Sequence, residues 1–121
     1  MVWAEIDSVM TAQAIDAGST SYSTVIGQLN QSGFAAVQLT STATGTFTIT
    51  QQASIDGANF YNPIDQNGVG IGSVLSSASA LVVLTSYIQF SPVLAPYVRL
   101  SVVPTQANTV TLKYITQGDK L

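Results

Sequence analysis

The chain has 121 residues and only nine charged side chains, six acidic and three basic, for a net charge of −3. An ordinary soluble domain has roughly a quarter of its residues charged. The chain contains no Cys and no His, which excludes disulfides and thiolate metal sites and removes the commonest general base. The length fits one domain, residues 1–121, with a hydrophobic core of its own.

The few charges leave long neutral blocks. Residues 17–55 and 66–98 contain no charged residue, and Ser and Thr together supply 28 residues. Hydroxyl groups enter a protein contact at a lower desolvation cost than ions do. We expect the neutral blocks to form the sheet core and much of a subunit contact. The charges should then gather at the termini, between Asp56 and Asp65, and on the last two strands.

Two classes of partner are disfavoured. Three basic residues are too few for a nucleic-acid backbone, which clustered cations bind. Residues 1–7 carry two acids where a signal peptide would have its apolar run, so we expect no cleaved signal. Residues 68–90 are uncharged, but their first half is rich in Gly, Ser and Ala and no basic residue flanks them. A membrane span is therefore not predicted.

The first third of the chain predicts short strands separated by turns. Apolar, β-branched or aromatic residues bounded by Gly, Ser or Asn predict strands over 10–15, 22–26 and 34–39. The sequences Ala17-Gly18-Ser19 and Asn30-Gln31-Ser32-Gly33 predict turns between them.

The middle of the chain shows a clear period of two. Residues 45–51 alternate Thr with Phe47 and Ile49, which indicates an antiparallel strand with those two side chains buried. Asp56-Gly57 and Asn67-Gly68 then predict two further turns, since Gly and Asn tolerate left-handed backbone.

The last third predicts three strands after one ambiguous segment. Residues 73–80 suit a short helix or a loop, whereas residues 81–90, 97–102 and 108–114 predict strands. The side chains predicted to face the core on the last two strands are Val98, Leu100, Val102, Val110, Leu112 and Tyr114.

About seven or eight short strands without a long helical stripe predict an all-β fold, an antiparallel β-sandwich or jelly roll. Residues 1–8 could extend from it as an arm. The neutral middle of the chain lacks the charges that usually protect sheet edges. We therefore expect neighbouring subunits to cover the edges, in a homo-oligomer or a larger lattice. Three prolines predict corners between the late strands: Pro92, Pro96 and Pro104.

One acidic loop is a weak candidate for a metal site. Asp56, Asn59, Asn62, Asp65 and Asn67 place five oxygen-bearing side chains within twelve residues, and calcium binds such oxygens. Two carboxylates are few for calcium, and the spacing is not that of an EF-hand. We favour the alternative, that Asp56-Gly57 is a hairpin turn and Asn67-Gly68 another, with the Asn residues tolerating left-handed backbone. We predict no metal and no cofactor.

Four other residues are candidates for an interface or a ligand site. Phe60 and Tyr61 could form a sugar-stacking platform or belong to an interface. Trp3 is either a satellite core residue or an anchor in a neighbouring subunit. Arg99 should face solvent, an acid such as Asp56, or a partner, and a weak surface ion pair is the favoured expectation. No base is present to activate a serine, so we predict that the chain is not an enzyme.

Residues 45–116 carry a family resemblance. The strand and turn at 47–60, which read Ser-x-Asp-Gly-x-x-Phe at their end, the Tyr-x-Arg strand at 97–100 and the Thr-rich strand at 108–112 resemble small β-sandwich structural proteins of bacteriophage virions. The resemblance implies a place in the virion, as a head decoration or minor capsid protein or a piece of neck, fibre or spike. It implies no catalytic residue. A carbohydrate-binding or adhesin-like module is the second hypothesis, because similar turns occur there.

Overall fold

The computed structural model describes residues 2–27, 35–43, 45–75 and 85–119. Over these ranges the chain forms two antiparallel sheets that pack against each other, without a helix. The predicted β-sandwich is confirmed, with nine strands in the described ranges instead of seven or eight. The strands are β1 (Val2–Ile15), β2 (Ser21–Tyr22), β3 (Ile26–Gly27), β4 (Ala35–Ser41), β5 (Phe47–Ser54), β6 (Ser73–Leu75), β7 (Thr85–Phe90), β8 (Tyr97–Pro104) and β9 (Asn108–Asp119).

The two sheets have different strand orders. The first sheet has four strands in the order β1-β9-β4-β7. The second has five strands: β2-β8-β5-β6 form one path, and β3 also pairs with β8. The central pairs, β4 with β9 and β5 with β8, are both antiparallel. Strands β1 and β7 are therefore the edges of the first sheet.

The core lies between the sheets, where the inward faces of their strands meet. Phe47 and Ile49 are fully buried, as the alternation predicted. The Tyr114 ring packs edge-on against Phe90, with 5.8 Å between ring centroids. The six other predictions of this kind are also confirmed, because each of these side chains has no exposed surface: Val98, Leu100, Val102, Val110, Leu112 and Tyr114.

The first strand is much longer than the predicted 10–15. It begins at Val2, and its first half pairs with the end of β9, from Ser8 opposite Lys113 to Val2 opposite Asp119. Strand β4 pairs with β9 only as far as Ile115. Within the described residues, the predicted arm is thus half of a two-stranded ribbon that continues past β4. We call this ribbon, residues 2–5 and 116–119, the terminal ribbon.

Two predictions about local structure are wrong. Residues 22–26 form two short strands instead of one. The Ser23 hydroxyl, between those strands, accepts a hydrogen bond from the backbone N–H of Leu100 (2.9 Å). Residues 73–75 are a strand and not a helix or loop, because they pair with β5 and bury Val74.

The predicted corner at Pro104 also needs correction. Pro104 is the last residue of β8, pairs with Phe47 and is buried, and the chain turns over the next residues. The strands predicted at 45–51, 97–102 and 108–114 are present, and each extends further towards the C-terminus. Three predicted segments lie outside the described residues: the turn at 30–33, Phe34, and residues 76–84.

The end of the sandwich where β5 begins is closed by polar contacts. Asn108 Oδ1 accepts the backbone N–H groups of Thr42 (2.9 Å) and Ala43 (3.0 Å), and its Nδ2 donates to the Ala43 carbonyl. Thr46 N–H donates to Thr105 Oγ1, and Thr105 N–H donates to the Thr46 carbonyl, both at 3.0 Å. The candidate sites lie towards the other end, where β5 ends and β8 begins.

Candidate functional site

The loop after β5 is a closed reversal of the chain. Ala53 and Tyr61 exchange two backbone hydrogen bonds of 2.9 Å across its base. Gly57 has φ +78°, a left-handed conformation that glycine adopts without steric cost. The Tyr97 ring lies against Gly57, 3.7 Å from where a Cβ would be. The predicted Asp56-Gly57 turn is present, and a residue other than glycine would be strained at this φ.

The Asp56 carboxylate organises this loop from within. Its Oδ1 accepts the N–H groups of Ala58 and Asn59 and the hydroxyl of Ser54, each at 2.9 Å. Its Oδ2 accepts the Asn59 side-chain amide at 2.9 Å. These donors, the backbone N–H of Asn59 first among them, hold the pKa of Asp56 far below the usual range of an Asp. The carboxylate is therefore committed to its own loop.

Asp65 has the same kind of role in the next turn. Its Oδ1 accepts the backbone N–H groups of Asn67 (2.8 Å) and Val69 (3.0 Å), and Gly68 has φ +79°. Within the described ranges, no group of three or more potential metal-ligating acids comes together. Both predicted turns, Asp56-Gly57 and Asn67-Gly68, are present, and the carboxylates of Asp56 and Asp65 accept backbone N–H groups within them.

The two loop aromatics belong to different surfaces. Phe60 lies over the guanidinium of Arg99, with 4.5 Å between Cζ and the ring centroid. Tyr61 is 68% exposed and lines a groove that does not include Phe60. The structure therefore does not combine them into one flat platform.

Arg99 lies on the outer face of the second sheet and is enclosed by neutral groups. The ring of Tyr22 covers it at 4.0 Å and the ring of Phe60 at 4.5 Å. Its Nε donates to Gln52 Oε1 at 2.7 Å, and Gln52 stands opposite Arg99 in the β5–β8 ladder. Among the described contacts, Arg99 therefore has aromatic and amide partners where an acid was expected.

An apolar groove lies beside the end of β5, and no pattern in the sequence predicts it. It has a volume of about 320 Å³. Leu94 at its rim is 104% exposed and Ile55 is 86% exposed. Both residues are ordinary loop apolar residues in the sequence, and only the meeting of two loops makes them a surface. We call it the apolar groove; its lining includes Ala53, Ile55, Tyr61, Pro63, Leu94 and Pro96.

A second cavity, of about 260 Å³, lies between β1 and the segment after β2. Its walls carry neutral polar groups, among them Thr11, Gln13, Tyr22 and Thr24. We call Arg99 and its three neighbours, Tyr22, Phe60 and Gln52, the Arg99 cluster. Tyr22 belongs to both the Arg99 cluster and this cavity. We call the cavity itself the hydroxyl cavity.

Trp3 lies in β1, where its backbone is opposite Gly118 in the terminal ribbon. Its two predicted roles, core residue and anchor, both stay predictions. Within the described part of the chain, no helix is long and apolar enough to cross a membrane.

No protein-family model matches the chain, and no curated protein matches its sequence.

Proposed function

We propose that this chain is a non-enzymatic structural protein of a bacteriophage virion, a capsid decoration or minor capsid protein. In this role it binds copies of itself and a capsid lattice. The observation that carries the assembly part is the apolar groove, with the exposed side chains at its rim.

The exposure at the groove favours a protein contact. Leu94, Ile55 and Tyr61 are 104%, 86% and 68% exposed, and they lie around one concave surface. Complete burial of such a side chain contributes about 1.5–3 kcal/mol. Clusters of exposed apolar residues occur at interaction sites more often than expected by chance. A partner that covers these three side chains would gain most of its binding energy there.

The terminal ribbon of a second copy is the occupant that we assign to the groove. Ala36 pairs with Ile115, and the neighbouring Ala35 pairs with Phe90. Phe90 is the last residue of β7, and the link that follows it carries Leu94 of the groove. The terminal ribbon therefore leaves the sandwich at the end where the groove lies. It carries the chain's single tryptophan, Trp3, and tryptophan is enriched at the centres of interfaces. If each copy placed its terminal ribbon in the groove of the next copy, every groove would be covered. The same contact, repeated from copy to copy, would build a lattice.

The virion part of the proposal comes from the resemblance at residues 45–116. Residues that carry the resemblance contact one another: Tyr97 lies against Gly57, and Phe60 lies over Arg99. These contacts indicate that the loop after β5 and strand β8 form one unit, and this unit belongs to the part of the chain that carries the resemblance. We expect the gene to lie among capsid, portal or tail genes, and a location far from any such genes would contradict the virion assignment.

Sedimentation velocity over a range of concentrations tests the assembly part. We expect the wild-type chain to self-associate, and we expect Leu94→Glu or Trp3→Ala to raise the dissociation constant at least about tenfold. Val69→Glu is the matched control, since Val69 is 59% exposed but does not line the groove. Few ion pairs can form, so raising NaCl from about 0.1 M to about 1 M should weaken association little.

Two outcomes would contradict the assembly part. One is a wild-type chain that stays monomeric at every concentration and does not cosediment with phage heads. The other is an equal loss of association in Val69→Glu and Leu94→Glu, because the groove would then have no special role. Circular dichroism of each variant shows whether the fold is retained.

A further inference from the structure

The guanidinium of Arg99 is held in one orientation by three neighbours. Aromatic rings cover it at 4.0 Å (Tyr22) and 4.5 Å (Phe60). Gln52 Oε1 accepts its Nε–H at 2.7 Å, and Gln52 Nε2 in turn donates to Asn62 Oδ1 at 3.1 Å. A long, flexible side chain is thus fixed before any ligand arrives, which lowers the entropy cost of binding.

This arrangement leaves one edge of the guanidinium for a ligand. The guanidinium carbon lies over the rings of Tyr22 and Phe60, and Gln52 occupies Nε. Within the described part of the chain, the two Nη groups of Arg99 have no hydrogen-bond acceptor. Two parallel N–H groups at such an edge match the two oxygens of a carboxylate.

The surroundings of Arg99 are neutral and rich in hydroxyl and amide groups. On the same sheet face, Thr50 and Ser101 stand opposite each other and their hydroxyl groups are hydrogen bonded. Across Tyr22 lies the hydroxyl cavity, whose walls include Thr11, Gln13 and Thr24. The described residues of this cavity and of the sheet face next to Arg99 carry no second charge. One fixed cation among neutral donors and acceptors suits a ligand with a single carboxylate and several hydroxyl groups.

We propose that the Arg99 cluster and the adjoining hydroxyl cavity bind an acidic saccharide. The sugar's carboxylate would pair with the Nη edge of Arg99, and its hydroxyl groups would bond the neutral groups beyond Tyr22. An acidic peptide fits less well, because it would present several charges to a single cation. This binding is independent of self-association, which uses the apolar groove.

Titration of the full ¹⁵N-labelled chain with N-acetylneuraminic acid and with glucuronic acid, followed by NMR, tests the proposal. Arg99 is the only arginine, so its Nε–H signal is unambiguous. We expect that signal and the amide signals of Tyr22 and Thr11 to shift saturably. Galactose, which has no carboxylate, should produce no such shift, and acetate should bind at least about tenfold more weakly than either acid.

Three variants identify the residue responsible. Arg99→Ala should weaken binding at least about tenfold, and Arg99→Lys should do so as well because an ammonium has no bidentate edge. Lys113→Ala removes one positive charge from an exposed residue of the other sheet and should bind like the wild type. The dispersion of the amide spectrum shows whether each variant is folded.

Several results would overturn the proposal. Absence of any saturable shift with both acidic sugars is one. Equal binding by Arg99→Lys and the wild type is another, and so is equal binding of galactose and glucuronic acid. Acetate that binds as tightly as the sugars would show a simple carboxylate edge with no saccharide site.

Discussion

Gln51 connects the two sheets through hydrogen bonds of its side chain. It is a fully buried amide in β5. Its Oε1 accepts the backbone N–H of Val93 at 3.0 Å, and its Nε2 donates to the carbonyl of Ser91 at 3.2 Å. Ser91 and Val93 lie in the link from β7 of one sheet to β8 of the other. The Gln51 side chain thus bonds two backbone groups of the crossover that also presents Leu94 at the apolar groove.

We predict that Gln51→Leu destabilises the fold. The substitution keeps a buried side chain of similar size but removes the two hydrogen bonds that Gln51 makes with the backbone of Ser91 and Val93. Each lost hydrogen bond costs about 1–3 kcal/mol. Chemical denaturation should show a decrease in the free energy of unfolding of at least about 2 kcal/mol. Gln89→Leu is the control: Gln89 is exposed, so its change should stay within about 0.5 kcal/mol. Equal effects of the two substitutions would contradict this role of Gln51.

At the scale of elements, β1 is an edge strand that is bent by two irregularities. Its pairing with β9 shifts between Ser8 and Met10 and again between Met10 and Gln13. Bulges of this kind bend and twist an edge strand, which makes it a poorer template for uncontrolled pairing. Ala12 has φ +43°, and its N–H donates to Thr111 Oγ1 at 3.0 Å. Backbone geometry thus adds to the protection that charged residues of this strand, such as the exposed Asp7, provide.

Ala12→Val is therefore expected to be more harmful than a surface substitution. A β-branched residue in the left-handed region adds about 1–2 kcal/mol of strain. Ala14→Val is the matched control, because Ala14 is also exposed in β1 but pairs regularly with Thr109. Thermal denaturation should show a lower midpoint for Ala12→Val only. If both variants melted together with the wild type, Ala12 would not be strained.

At the scale of the whole molecule, the core makes the fold sensitive to alkali. Tyr114 has no exposed surface, and burial raises the pKa of its phenol well above that of an exposed tyrosine. Its ionised form is accommodated in the unfolded chain but not in the core. The contribution of the neutral Tyr114 phenol to the free energy of unfolding is therefore complete below about pH 10, the pKa of an exposed tyrosine. It is lost as the pH rises above that value.

A pH titration that follows phenolate absorbance and near-ultraviolet circular dichroism together tests this prediction. Four other tyrosines are exposed, so comparison with Tyr114→Phe isolates the signal of Tyr114. Tyr114 should ionise only with the loss of tertiary signal. In Tyr114→Phe the loss of stability above about pH 10 should be smaller. Phenolate absorbance from Tyr114 in a protein that keeps its tertiary signal would refute it. The exposed tyrosines are Tyr22, Tyr61, Tyr87 and Tyr97.

Parts of the architecture could be predicted because they depend on neighbours in the sequence. The alternation at Phe47 and Ile49 determined which face of β5 is buried, and the same phase extends to Gln51, whose burial could have been inferred from it. The Asp56-Gly57 turn follows from short-range hydrogen bonds and a positive φ. The single strand predicted at 22–26 was wrong because Ser23 contacts Leu100, far away in the chain.

By itself, the sequence determined the all-β class, the buried faces of its clearest strands and its shortage of charge. These are properties of composition and of a repeat of two residues. Only the tertiary structure decided which surface residues meet: Arg99 with Tyr22 and Phe60, and Leu94 with Ile55 and Tyr61. The physical reason is that such meetings depend on the order and register of the strands, which an alternating pattern leaves open.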